Sequence, residues 1–457
     1  MNYKFIYVWV FSVLAFAKAY PQQTPNQDSY SFSLEEAINH GLEHNYQAIN
    51  AKRDIAKALK QKWETTAAGL PQINGGLNYQ NQLIQPVSFL PASFSGGPEG
   101  EFVPGIFGPR QNMSLTATLS QLIFDGSYIV ALEASSTFID FSENANNKTK
   151  LEVRKGIINA YGGVLLTQEN INILTKNRNN VQESLNETTK VFENGLAEEE
   201  DVEQLQITLS QLNNQLNSAI RQKEIALDML KLALGIELKA VITLKDNLES
   251  LAIKNINPSF SNEALDLELS VDYQIAYNFT QQRKLEYKLE RAKSLPTVSG
   301  FINYGTLTAN NNFVFFNNNQ LWFDNSIAGL SINLPIFSSL GRKAAQDRTK
   351  IAWDQALTDL DRTREEIRLS YQRSLNNYQT AIDNYSTSKD NLRLAERIEN
   401  KNQIKFREGI SSSFDLRQAQ TQLYSTQATY LQSMYQVISE KANLETILNT
   451  PEFINQK

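Results

Sequence analysis

The sequence predicts a mostly α-helical chain that carries part of a transmembrane β-barrel. It reads as an internally duplicated protomer with four β-strands and long coiled-coil helices. Three copies are expected to form a 12-stranded barrel continued by an α-helical barrel. Three observations predict this: residues 190–235 repeat in 404–449, two long tracts lack proline, and four short segments alternate apolar with polar residues.

The repeat holds a constant shift of 214 over about 45 positions. Phe192 answers Phe406, Gly195 answers Gly409, Asp201-Val202 answers Asp415-Leu416, Gln204 answers Gln418, and Leu230 answers Leu444. Upstream, Leu70-Pro71 with Asn78-Tyr79 matches Leu295-Pro296 with Asn303-Tyr304 at a shift of 225. The expected organisation is a signal peptide at 1–19, a first repeat at 20–235, an inter-repeat equatorial segment at 236–260 and a second repeat at 261–457.

The first residues read as an export signal. Lys4 supplies the positive start, Phe5 to Phe16 the apolar core, and Ala17-Lys18-Ala19 a small-x-small cleavage site. No cysteine occurs, which excludes disulfides, thiolate metal sites and a lipid-bearing N-terminal cysteine. Net charge is -6 with Lys and Arg dispersed, so no basic patch tracks a phosphate backbone and no nucleic-acid partner is expected. Beyond the signal no stretch approaches eighteen consecutive apolar residues, so a membrane crossing must be made by strands closed into a barrel.

Proline is absent from Gln111 to Asn257 and from Ile336 to Thr450, and these tracts are rich in residues that favour helices. One helix is expected from about Ser127 to Glu193, roughly 100 Å long at 1.5 Å per residue, with Gly156, Gly162 and Gly163 as possible interruptions. A partner runs from about Leu340 to Phe406. Leu416, Leu423, Tyr430, Val437 and Leu444 recur every seven residues, the pattern of helices wound in coiled-coil fashion. Such helices build a rod or tube rather than a compact globule.

Between them the period becomes two. Strands are expected at about 71–84, 112–124, 296–308 and 326–337, each apolar on one face and polar without charge on the other. That is the wall of an outer-membrane barrel, lipid on one side and water on the other. Four strands cannot close a barrel, and an open edge in lipid leaves backbone groups unpaired at several kcal/mol each. A homotrimer resolves this. Gln85 to Arg110 reads as a loop with five prolines. Ala309 to Asp324 is Asn-rich with Phe313, Phe315, Phe316, Trp322 and Phe323, and these rings could form an interfacial girdle or narrow a pore mouth.

Taken in order, the motifs resemble the TolC-like outer-membrane efflux proteins across nearly the whole mature length. The most specific is Arg407-x-Gly409-x-x-Ser412-x-x-Asp415-Leu416 at the turn between the last two helices. Leu70-Pro71, Leu295-Pro296 and Leu334-Pro335-Ile336-Phe337 accompany it. The resemblance implies a homotrimeric conduit in the outer membrane, with its helical part in the periplasm. It would dock onto a periplasmic adaptor (a membrane fusion protein) and an inner-membrane pump, and do no chemistry of its own. A type I protein secretion conduit is the alternative to small-molecule efflux, and a structural trimeric coiled-coil rod is the remote one.

The resemblance points to the two helix turns as the working site. Asp201 and Asp415, with Glu198 and Gln418, are candidates for a periplasmic gate. Gly195, Leu196, Arg407, Gly409, Ile410 and Ser412 are candidate docking contacts for an adaptor. The residues also carry a plainer reading. Gly195 and Gly409 suit helix ends, Ser412 suits an N-cap with Asp415 three residues on, and the acids of Glu198 to Asp201 suit a helix N-terminus. Gln418 stands where several relatives carry a further acid, Phe406 and Ser411 replace Tyr and Arg, and Glu193 replaces the signature Arg in the first turn. His40-Gly41-Leu42-Glu43-His44 fits a zinc-peptidase spacing, but no active-site domain surrounds it. No catalytic, cofactor or metal residues are expected.

Overall fold

The structure is a computed structural model that describes residues 29–256 and 265–449. The expected export signal and the end of the inter-repeat segment lie outside the described residues. The chain is mostly helical, and it forms two compact units that each draw on both halves of the sequence. Within the described residues the first takes 29–45, 153–256 and 380–442, and the second takes 46–152, 265–379 and 443–449.

In the first unit, β1 (Ser29–Phe32) pairs in parallel with β6 (Val241–Leu244). Helix α1 (Leu34–His44) follows at once, started by a capping box in which Ser33 N–H donates to Glu36 Oε2 at 2.8 Å. Tyr161, wholly buried, lies on the long helix α3 (Gly126–Glu193). Its hydroxyl sits 2.9 Å from Asp246 Oδ2 and 3.0 Å from the Phe32 carbonyl, so one proton serves two acceptors. Asp246 Oδ2 also accepts from Leu34 N–H at 2.8 Å, and Lys245 Nζ reaches Glu36 at 2.8 Å. Burial first, and the Asp246 carboxylate second, push the Tyr161 hydroxyl well above the usual tyrosine range. This polar hub ties the small sheet to the helices.

Helix α4 (Glu199–Leu234) buries Val202, Leu205, Leu212, Leu216, Ala219, Leu230 and Leu234, largely at spacings of three, four and seven. Val181, Leu205 and Leu212 form a core with Leu174, Leu185, Leu209 and Tyr424 packed on it. Within the first unit α7 (Gly341–Arg407) buries Ala381, Tyr385, Ser388 and Ala395, and α8 (Ser413–Leu448) buries Leu416, Leu423, Tyr430 and Val437 at spacings of seven. Polar pairs fix the register of these seams: Ser388 and Ser433 share a buried hydrogen bond of 2.7 Å, and Asn177 Nδ2 donates to Gln427 Oε1 at 2.8 Å. Helix α3 runs unbroken through Gly156, Gly162 and Gly163, as the single long helix expected from about Ser127 to Glu193. A Cβ at Gly162 would lie 3.3 Å from the Tyr435 ring, so this glycine serves a close helix approach and the backbone runs on. Short α5 (Leu248–Lys254) follows β6, capped by Asn247.

In the second unit, α2 (Tyr46–Ala68) leads into β2 (Gln72–Asn81), and α6 (Val271–Ala292) leads into β7 (Thr297–Asn310). With β5 (Gln111–Asp125) and β8 (Phe323–Asn333) they form one antiparallel sheet of order β2-β5-β7-β8. β8 starts earlier than the expected 326 and stops before Pro335, which has no N–H to give a ladder. The register puts Ile73, Leu119, Ile302 and Ala328 in one row across the sheet, and Asn74, Thr118, Asn303 and Ile327 in the next, on the opposite face. The first face is largely apolar, but toward the β7–β8 turn it also carries Thr306, Thr308, Ser326 and Asp324. The second is polar in β2 and β5 but includes Phe301, Leu307, Phe323 and Ile327 in β7 and β8, which the alternation alone did not suggest. The segment expected as a loop from Gln85 to Arg110 contains a hairpin, β3 (Val87–Pro91) paired with β4 (Phe102–Ile106). β2 and β8 are the outer strands, each with one ladder edge open and nearly every residue exposed.

His40 and His44 stack on one face of α1, ring centroids 4.2 Å apart, with His40 against Tyr30 and Phe32. Among the described residues no group of three or more potential metal ligands includes them. Burial, then the neighbouring His44, lower the His40 pKa, as expected of an imidazole packed among rings.

Replacing Tyr161 by Phe should cost about 1–3 kcal/mol, because it leaves the Phe32 carbonyl and Asp246 without their shared donor. The check is hydrogen exchange: amides of β1 and β6 should lose protection while those of the four-stranded sheet keep theirs.

Candidate functional site

The two turns between the long helices share one backbone solution. At the end of α3, Gly195 adopts φ 76°, its N–H donates to the Phe192 carbonyl at 2.8 Å, and Leu196 N–H donates to Val191 at 3.1 Å. At the end of α7, Gly409 adopts φ 69°, its N–H donates to Phe406 at 3.0 Å, and Ile410 N–H donates to Lys405 at 2.8 Å. Both are Schellman ends, in which a left-handed residue frees the chain while the last carbonyls stay bonded. Any L side chain with a Cβ would strain that conformation, which is why glycine recurs at the shift of 214. The residue after each glycine is apolar and turned outward: Leu196 is 80% exposed and Ile410 75%.

The helix starts beyond the turns differ. Before α8, Ser412 Oγ accepts from Asp415 N–H at 3.2 Å, and Asp415 Oδ2 accepts from Ser412 N–H at 3.3 Å, a reciprocal box. The same carboxylate oxygen also takes the hydroxyls of Ser412 at 2.8 Å and Ser411 at 3.2 Å. These bonds hold the Asp415 carboxyl below its ordinary range, the Ser412 hydroxyl first and its backbone N–H second, with Ser411 and Lys405 adding less. Before α4, Glu198 occupies the cap position but makes no side-chain cap bond. Asp201 follows in the first turn, where Glu199, Glu200 and Asp201 place three carboxylates at the positive end of the helix dipole.

Both turns belong to the first unit and border one cleft of about 770 Å³. Leu196, Glu198, Asp201, Phe406, Ser412 and Phe414 line it. Two cross-links hold the turns together. Arg407 Nε lies 3.4 Å from Glu187 Oε2, and Arg417 Nη1 donates to Gln204 Oε1 while its guanidinium sits 5.5 Å over the Phe414 ring. Of the residues singled out from sequence, Asp201, Glu198, Leu196, Arg407, Gly409 and Ser412 meet at this cleft. Gln418 does not; it lies on an exposed face of α8 lining a separate hollow with Phe414 and Arg417. Arg417 and Glu187 were not anticipated. The available signal was Arg417 itself, a cation near a helix N-terminus where the dipole disfavours it, which implies a partner elsewhere.

Ser412→Ala should destabilise the start of α8 by about 1 kcal/mol, the usual worth of an N-cap. Faster exchange at residues 413–416 would report it, whereas Glu198→Ala should weaken the start of α4 less, because a dipole interaction but no cap bond is lost. Because the Asp415 pKa is depressed on folding, its contribution is complete above the unfolded carboxylate value of about 3.9 and is lost as pH falls through the lower folded value. Protection of the α8 start in the wild type should therefore persist through mildly acidic pH and decline only below about pH 3.9.

Comparison with known proteins agrees with this architecture. The outer membrane efflux protein family model matches residues 37–236 and 277–450, well over half the chain. CusC, whose structures describe folding and transmembrane channel formation, is 18% identical, covers 91% of this chain and 92% of its own, and superposes with a TM-score of 0.70. The outer membrane protein VceC of Vibrio cholerae gives 15% identity, coverage of 91% and 95%, and a TM-score of 0.69. The CmeC outer membrane channel of Campylobacter jejuni gives 17%, 91% and 85%, and 0.70. At such identities these likenesses establish the fold alone, and no curated protein sequence matches the chain. The family match, with the duplicated turns and the two-faced sheet, identifies the chain as a member of the outer membrane efflux protein family, the TolC-like channels of the outer membrane.

Proposed function

We propose that this chain is the outer-membrane conduit of a tripartite export system, working as a homotrimer. The observation that carries the reading is the sheet: four strands, one largely apolar face, one mostly polar uncharged face, and open edges at β2 and β8. In lipid those edges must be paired, and pairing β8 of one copy with β2 of the next closes twelve strands after three copies. The same symmetry would close the long helices into a tube in the periplasm. The two sequence repeats, 20–235 and 261–457, are then two near-equivalent sixths of one ring, with 236–260 between them and the signal at 1–19 removed on export. A structural rod would need no two-faced sheet.

The chain does no chemistry in this reading; it is a passive path. The exposed Leu196 and Ile410, each following a left-handed glycine, offer small apolar contacts at the helix turns for a periplasmic adaptor, which in turn engages an inner-membrane pump. Three copies bring Asp201 and Asp415 to the entrance three times each, and a ring of carboxylates favours cations over anions. The two acids are not equal contributors. Asp415 is held by three donors from Ser411 and Ser412, whereas no side-chain hydrogen bond engages Asp201 among the described residues. Asp201 should therefore dominate any selectivity.

The purified protein in planar bilayers should give a stable, cation-selective conductance and migrate in detergent as a trimer. Asp201→Asn should lower cation selectivity more than Asp415→Asn, and the double variant most. Selectivity unchanged in all three variants would reduce the acids to helix caps; a monomer without conductance would defeat the conduit reading.

A further inference from the structure

We propose that the loop between β7 and β8, residues 311–322, is an aromatic collar that seats in the outer-leaflet lipid at the boundary of headgroups and acyl chains, outside the pore. The proposal rests on the sheet being a membrane wall. What it adds is the face on which the loop lies.

That face follows from register. Tyr79 pairs with Met113 and Met113 with Thr308, so the three form one row across β2, β5 and β7. Strand alternation puts this row on the same face as Ile73, Leu77, Leu115 and Ile302, the largely apolar one. The loop folds back onto this row. The rings of Phe313 and Phe315 meet the Tyr79 ring edge-on at 5.4 and 5.9 Å, and each other at 5.5 Å. Thr308 Oγ1 donates to the Leu321 carbonyl at 2.7 Å and accepts from Gln320 Nε2 at 2.6 Å. Under this cover Met113 is 4%, Phe315 2% and Thr308 0% exposed, on a sheet whose face is otherwise open. Among the described residues none of these contacts reaches the opposite face, where Asn78 and Ser114 sit one position away.

Composition names the occupant. Residues 311–322 contain four aromatic rings, six amides and no charge. With Phe315 spent on packing, Phe316 and Leu321 stand 76% and 69% exposed. The next row inward is apolar in β2 and β5, at Leu77 and Leu115, and polar in β7 and β8, at Thr306 and Asp324. A neutral, amide-bearing aromatic patch continuous with a lipid-facing band fits the interfacial zone, where rings and amides find both apolar and hydrated neighbours. A plug would instead place these rings over the polar face.

The absence of native cysteine makes the test clean. Single variants Phe316→Cys, Leu77→Cys and Asn78→Cys carry a nitroxide label in full-length protein reconstituted into liposomes. Collisional relaxation is measured with oxygen, which partitions into lipid, and with a water-soluble nickel chelate. The expected result is oxygen-dominated relaxation at Leu77 and, less deeply, at Phe316, and nickel-dominated relaxation at Asn78. If Phe316 follows Asn78 while Leu77 stays in lipid, the collar is wrong and the wall stands. If Leu77 is also aqueous, the wall reading itself fails and takes the collar with it. A Phe316 label shielded from both reagents would report a protein neighbour and overturn the lipid assignment. As a second measurement, Phe316→Asn should leave single-channel conductance unchanged; a rise would place the loop in the pore and overturn the proposal.

Discussion

The open backbone edges of β2 and β8 set the condition under which the rest of this chain makes sense. A strand edge carries a row of N–H and C=O groups that must find partners, and in lipid there is no water to supply them. Within the protomer the ladders β2–β5, β5–β7 and β7–β8 are complete, so the unmet demand is confined to two lines at the sides of one sheet. Both repeats end up serving that demand. Each supplies a strand pair, the β5–β7 ladder splices the pairs together, and in the proposed trimer a further copy of the chain would match what is left open. In such an assembly the stability of the folded protomer would be tied to protomer concentration.

Much of this was legible in the residues. Alternation in Ile73, Leu77 and Tyr79 and in Ala328, Leu330 and Ile332 gave the strands, because a half-buried pleat imposes period two regardless of context. Gly195 and Gly409 gave the helix ends, because a left-handed residue selects glycine. The parallel pairing of β1 with β6 was not legible: each strand has four residues and they lie more than two hundred positions apart, so no local pattern joins them. The β3–β4 hairpin was hidden by Pro91 and Pro104, which read as breakers but are tolerated in an isolated two-stranded ribbon.

The site was legible in part for the same reason. The repeat aligned the two turns and so drew attention to Asp201 and Asp415 together. Repetition could not reveal what differs between the copies. Arg417 aligns with Glu203, so its bond to Gln204 has no counterpart in the other half and left no trace in the pattern. Aromatic residues in 311–322 announced an interface or a constriction without saying which, since only pairing register fixes the face a loop lies against.

The unequal helix starts carry a mechanical meaning. The turn at Gly409 is locked on both sides, by a Schellman end and by the Ser412–Asp415 box, whereas the turn at Gly195 has only the first of these. Arranged around a threefold axis, such turns would alternate stiff and compliant. Deformation would then concentrate in three yielding hinges while the other three kept their shape, and an entrance so built would dilate by bending at fixed places rather than by melting at large.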